Sequence, residues 1–336
     1  MKDNSNTYSR KEFIKTTLAG LAAGALMIPH IQCSTEEGIP LRSLGNSGIR
    51  IPILGLGGWT IGRKSVAEKD GITIMHEAID EGLRFFDNCW EYNGGVSEER
   101  MGKALSESWR RDKVFLMTKT CGRMAADATK QLEESLTRLK TDRIDLWMFH
   151  GIKRNRDRDL IFGEGGAMEA ALKAKKEGKV RYIGFSGHEH PDHFLNMLDE
   201  NFNWDAVLLP LNAFDYHYRS FQKNVLPVLN DKNIGVLGMK ALLAGRLPKM
   251  EGFDPKLARK YVLSLPITSL LCGIETREQL HQDLSVARNF KPMNEDEVKQ
   301  WLAMAEEIGI TGEHEGYKKG NSGCDWHYKQ HEGFKK

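Results

Sequence analysis

The sequence has little cysteine: Cys33, Cys89, Cys121, Cys272 and Cys324 are scattered through 336 residues, with no Cys-x-x-Cys pair and no His/Cys zinc-ligand spacing. A disulfide framework and a zinc site are therefore not expected. An excess of charge of one sign is also missing, since 48 Lys and Arg face 46 Asp and Glu for a formal +2. That removes the basic field by which proteins hold nucleic acid or an anionic membrane surface. No Gly-x-Gly-x-x-Gly turn follows the first strand-like run, and there is no internal repeat, low-complexity block or linker. What is present, 40% hydrophobic and 28% charged residues, is the composition of a chain that folds around an apolar core.

Residues 1–33 read as a leader. Ser9-Arg10-Lys11-Glu12-Phe13-Ile14-Lys15 precedes an apolar stretch from Thr16 to Ile28. A basic segment followed by an apolar core of about 13 residues is signal-peptide architecture, too short for a spanning helix. It is similar to a twin-arginine export signal with Lys11 in place of the second arginine. Export to the periplasm is the expectation, and Cys33 is a candidate lipidation site that would make the chain a lipoprotein.

From residue 40 to 310, apolar runs alternate with helix-period segments. The strand candidates are Ile53–Gly57, Arg84–Asn88, Lys113–Thr118, Ile144–His150, Val180–Ser186, Ala206–Leu211, Ile234–Met239 and Ile267–Cys272. Short runs of Val, Ile, Leu and Phe suit parallel strands covered on both faces. Between them, sets such as Ile72, Met75 and Ile79, or Leu132, Leu136 and Leu139, share one helical face. Gly82 and Gly178 stand where helices stop. Eight such alternations predict a closed (β/α)8 barrel, an α/β fold, with residues 41–52 as an N-terminal β-hairpin under its floor. A doubly wound sheet is the alternative, and the missing glycine fingerprint argues against it. Residues 311–336 form a tail rich in Gly, Lys and His; with Cys324 alone, it carries no expected iron–sulfur cluster.

Barrel enzymes place their chemistry at the C-terminal ends of strands. There the sequence puts Asp87, Tyr92 five residues on, Lys119 and His150. A free tyrosine, with a pKa of about 10, is a poor acid at neutral pH. An ammonium beside it favours the phenolate. Lys119 can supply that charge, Asp87 can orient Lys119, and His150 can hold the substrate oxygen. Together they make a general acid for a carbonyl that receives a hydride, or a base for the reverse reaction.

The chain resembles the aldo/keto reductase family over roughly residues 40–292. The resemblance rests on Leu44-Gly45-Asn46-Ser47-Gly48, on Leu54-Gly55-Leu56-Gly57-Gly58, and on the Asp-x4-Tyr element from Asp87 to Tyr92 followed by Asn93-Gly94. It implies that Asp87, Tyr92, Lys119 and His150 are a catalytic tetrad and that the cofactor is NADP or NAD, with NADP the commoner family choice. Gly184-Phe185-Ser186-Gly187-His188 stands where the family has Gly-x-Ser-Asn. Gly187 therefore lacks the amide that holds the nicotinamide carboxamide, and Leu208 replaces a usual glutamine. His188 is the expected substitute donor, beside Ser186 and Asn212. Gly238 and Lys240 resemble the pyrophosphate loop. Gly273, Glu275, Arg277, Gln279 and Asp283 resemble the segment around the adenosine end, where Glu275 would repel a 2'-phosphate and Arg277 could reach one. Trp59 and Trp90 are expected to shape the substrate pocket. The implied activity is reversible reduction of an aldehyde, ketone or keto-sugar. The alternative is an exported nucleotide-binding barrel with little turnover.

Overall fold

A strand buried on both faces must be apolar on both, and the runs that meet this condition are the ones that close into a barrel. The computed structural model describes residues 35–107, 109–320 and 325–331; the leader and the expected lipidation at Cys33 lie outside them. A three-stranded antiparallel sheet comes first, from β1 (Thr35–Glu36), β2 (Ile39–Ser43) and β3 (Arg50–Pro52). The barrel strands follow: β4 (Leu54–Gly57), β5 (Phe85–Asp87), β6 (Phe115–Thr120), β7 (Ile144–Phe149), β8 (Val180–Ser186), β9 (Ala206–Pro210), β10 (Gly235–Met239) and β11 (Ser269–Gly273). They pair in parallel and close in the order β10-β11-β4-β5-β6-β7-β8-β9.

Two strands are displaced from their sequence expectation. Residues Arg110–Lys113 form one helical turn, so β6 starts two residues later than expected and carries Lys119 inside the strand. The last strand begins at Ser269 and takes in Gly273.

Period two divides the side chains between two cores. In β7, Leu146 and Met148 cluster with Phe85, Met117, Tyr182, Leu208, Leu237 and Leu271 in the barrel interior. Their neighbours Trp147 and Phe149 belong to the larger cluster under the helices. Leu44 and Ile51, from the N-terminal hairpin, join the interior cluster and close its floor as expected.

The helices that cover the barrel are α1 (Glu68–Asp80), α2 (Val96–Leu105), α3 (Ala125–Leu139), α4 (Ala167–Lys176), α5 (Pro191–Leu198), α6 (Leu226–Asp231), α7 (Pro255–Ser264) and α8 (Arg277–Arg288); α9 (Glu295–Gly309) and α10 (Trp326–His331) follow. Helices α2 and α3 approach so closely that a Cβ on Gly102 would sit 2.0 Å from the Arg138 carbonyl oxygen. The Tyr92–Gly95 turn leads directly into the first residue of α2, Val96.

The tail does not behave as a separate appendage where it is described. Tyr317, Lys318 and Tyr328 are buried. Lys318 donates to Asp215 at 2.6 Å and to Glu315 at 3.0 Å, all three side chains without solvent access. Among the described residues no helix is long and apolar enough to cross a membrane.

Candidate active site

At the C-terminal mouth of the barrel lies a groove of about 1100 Å³, running from Trp59, Tyr92 and His150 past Ser186 and Lys240 to Glu275 and Gln279. The tetrad residues meet on its floor. Lys119, fully buried, donates to the Asp87 carboxylate, to the Asn88 carbonyl oxygen at 2.7 Å and to the Tyr92 hydroxyl at 3.3 Å. The Tyr92 ring stands edge-on to Trp59, with centroids 5.4 Å apart, and to His150 at 5.7 Å. His150 Nδ1 lies 3.0 Å from Cys89 Sγ, which leaves Nε2 as the ring nitrogen available to a substrate oxygen.

Electrostatics set the protonation states. Burial, reinforced by the Asp87 charge, pushes the Tyr92 phenol well above its ordinary value. Burial thus outweighs the pull of the Lys119 ammonium toward the phenolate: Tyr92 rests as a protonated donor, with Lys119 within hydrogen-bond reach to stabilise the phenolate once the proton leaves. Burial also pushes the Asp87 carboxyl up, while the Lys119 ammonium opposes the shift. Burial and the charges of Lys119 and Arg123 hold His150 well below the usual histidine range, so it is neutral. Arg123 itself pairs with Asp157 at 2.6 Å and donates to the His150 carbonyl at 2.7 Å, fixing that strand end from behind.

Does the rest of the groove fit a nicotinamide nucleotide? Ser186 Oγ is buried without a partner among the described residues at the end of β8, a hydroxyl ready for a ligand amide. Gly57 and Gly273 keep the opposite wall low; a Cβ on Gly273 would lie 2.9 Å from Thr60 Cγ2. Lys240 reaches the groove from a left-handed backbone, φ 62°, the kind of strain that persists where it places a functional group. Glu275 lines the far end, paired with Arg63 at 2.5 Å, and its N–H donates to Gln279 Oε1 at 2.7 Å. The Gln279 side chain also lines the groove at this end. An amide-binding end, a cation in the middle and ribose-hydroxyl partners at the far end form a donor set that suits a dinucleotide.

Other expected site residues differ in role or in place; His188 lines the groove as expected but not as a donor. His188 Nδ1 lies 3.1 Å from the Tyr317 carbonyl oxygen. A carbonyl only accepts, so Nδ1 carries the proton and Nε2 accepts. With burial pulling its pKa down to about 3, His188 is a neutral acceptor rather than the expected donor. The Asn212 amide is engaged by the tail, donating to the Tyr317 hydroxyl at 3.0 Å. Gly238 faces the outer layer, where its Cβ would meet Ile267 and Val262 at 3.3 Å. Arg277 turns away to Glu77 at 2.6 Å, and Asp283 is buried against Arg259 at 2.5 Å. Trp90 lies outside the groove, its Nε1–H donating to Glu134 at 2.6 Å and its ring packed on Trp326. Trp59, half exposed, does line the groove.

Sequence reasoning missed Glu91, Asn93 and Arg63, which also line it. Glu91 lies inside the Asp-x4-Tyr element, but its side-chain direction follows from a tight turn that the spacing alone does not give. Cys121 is disulfide-bonded, a covalent link that the scattered cysteines did not predict.

The aldo/keto reductase family model matches residues 53–260, more than half of the chain. L-galactose dehydrogenase of Arabidopsis thaliana is 28% identical over 303 residues, covering 77% of this chain and 91% of that protein. Aldo-keto reductase YhdN of Bacillus subtilis is 31% identical, covering 61% of this chain and 62% of its own. The fold is shared with aldo-keto reductase AKR11C1 from Bacillus halodurans in its holo form, TM-score 0.66 at 21% identity, over 82% of this chain and 99% of that one. The ordered tetrad, the barrel that carries it and the family match agree: the chain belongs to the aldo/keto reductase family.

Proposed function

We propose that this protein is a nicotinamide-dependent oxidoreductase that interconverts a sugar-like carbonyl and its alcohol, outside the cytoplasm. The observation that carries the reading is the complete tetrad, with a protonated Tyr92 held by Lys119 at the open end of the groove. A bound nicotinamide would supply or take the hydride at the substrate carbon. For reduction, Tyr92 gives its proton to the carbonyl oxygen, His150 Nε2 positions that oxygen, and the Lys119 charge steadies the phenolate left behind. In the oxidative direction the same phenolate takes the hydroxyl proton. A binding module with little turnover would gain nothing from a buried Lys119–Asp87 pair.

Two features support a polyhydroxylated substrate. Trp59 offers an exposed flat face beside Tyr92, and the Glu91 carboxylate can accept hydroxyl protons. The similarity to L-galactose dehydrogenase points the same way. At the cofactor's far end, Glu275 in the groove and Arg277 turned to Glu77 favour the unphosphorylated ribose of NAD over NADP. Export rests on the leader at residues 1–33, and a disulfide at Cys121 suits an oxidising compartment. Assays of the mature chain with NAD(H) and NADP(H) against a panel of aldoses, ketoses and simple aldehydes test this reading. A chain that binds neither nucleotide and turns over no carbonyl sinks it.

Lys240 gives a pH dependence. Burial and the Lys119 charge pull its ammonium down to about 8. Below that pH it is charged and attracts phosphate, and a bound pyrophosphate raises its pKa again. Nucleotide affinity is therefore full below about pH 8 and falls as pH rises, by up to about tenfold per unit. Titration at pH 7 and 9.5 should show this slope, and Lys240→Met should flatten it. A dissociation constant equal at both values would remove Lys240 from the phosphate site.

A further inference from the structure

The C-terminal helix brings together side chains for which the oxidoreductase chemistry has no use. His327 and His331 stand four residues apart on α10 and so share one face. Their rings are 4.8 Å apart and tilted by 37°. Opposite them, near the start of α3, Asp127 Oδ2 lies 2.7 Å from His331 Nε2. One ligating atom from each of the three side chains lies within 4.8 Å of the others.

A second observation points to a missing ligand. His327 is 4% exposed, and its Nδ1 is buried with no hydrogen-bond partner among the described residues. A buried imidazole nitrogen is normally satisfied, because leaving it bare costs about 1–3 kcal/mol. Arg123 is the cationic side chain whose charge acts most on His327. The Arg123 charge is balanced by Asp157 at 2.6 Å, so it does not bar a cation.

We propose that Asp127, His327 and His331 bind a divalent transition ion, zinc by preference, that clamps the C-terminal helix to α3. Two imidazoles and a carboxylate suit zinc and its neighbours; calcium and magnesium call for oxygen ligands throughout. Zinc–ligand bonds of about 2.0–2.2 Å place tetrahedral ligand atoms about 3.3–3.5 Å apart, so the site closes by little more than rotamer adjustment. Water completes the fourth position.

The clamp matters because of what α10 touches. Trp326 packs on Trp90 with centroids 5.3 Å apart, just before Tyr92 in sequence. The Tyr328 hydroxyl donates to Asp157 at 2.7 Å, and Asp325 pairs with Lys153 at 2.5 Å, both partners in the segment after His150. The metal would therefore steady the two segments that present Tyr92 and His150, as a positioning element and not a reactant.

The test uses the full chain without a histidine tag, stripped by a chelator and titrated with zinc by calorimetry. One zinc per chain is expected. His331→Ala, at a half-exposed position that tolerates change, and Asp127→Asn should each weaken binding by more than about a hundredfold, beyond the roughly 10–100-fold that loss of an outer-shell partner costs. Zinc should slow proteolysis of the tail in the parent chain and not in His331→Ala. Cobalt in the site should show no thiolate charge-transfer band. Absence of zinc binding, equal affinity in both variants, or a thiolate band that places the ion at Cys89 would each overturn the proposal.

Discussion

Tyr92→Phe is expected to lower turnover by about 10²–10⁴-fold, the range over which a positioned general acid acts, and to leave nucleotide affinity unchanged. The hydroxyl's only protein partner among the described residues is Lys119 at 3.3 Å, while the ring keeps its edge contacts with Trp59 and His150 in the variant. Stability should therefore move by no more than about 1 kcal/mol. Steady-state rates beside nucleotide titration separate the two effects. Turnover within tenfold of the parent would mean that some other group delivers the proton.

Lys119→Met is expected to act on both activity and stability. The ammonium is fully buried and shared among Asp87, the Asn88 carbonyl and Tyr92. Its removal strands the Asp87 carboxylate, and breaking a buried pair from one side costs about 3–5 kcal/mol. The sign of the pH dependence follows. Without its partner, the Asp87 carboxyl has a folded-state pKa far above the unfolded value of about 3.9. Below that value both states hold the proton and the deficit nearly vanishes; it grows as pH rises toward neutrality. Denaturant unfolding at several pH values should show this trend, and Asp87→Asn added to Lys119→Met should recover part of the loss. A deficit independent of pH would mean that Asp87 is not the group left stranded.

The tetrad could be read from the sequence because strand ends are local features and a barrel sends them all to one mouth. Asp87 and Tyr92 need only a strand and a turn, and Lys119 and His150 only strand ends, so even the two-residue shift of β6 left Lys119 in place. The misplaced residues are those whose partners are remote in sequence. Arg277 finds Glu77, 200 residues away, and Asn212 finds Tyr317, 105 residues on. Trp90 is drawn outward by Glu134 and Trp326. Donor and acceptor roles were equally hidden: His188 Nε2 becomes an acceptor only because the Nδ1–H is donated to a tail carbonyl.

Lys318 and Tyr317 tie the segment after α9 to Asp215 and Asn212. Synthesis runs from the N-terminus, so all eight strands emerge while Asp215 still lacks its counter-ion. A chain stopped near residue 310 would hold a buried carboxylate with no cation and Asn212 with no phenol. The Tyr317–Lys318 segment thus acts as a counterweight: a polypeptide interrupted before it would carry an unbalanced interior, the kind of destabilised state that cellular proteases remove.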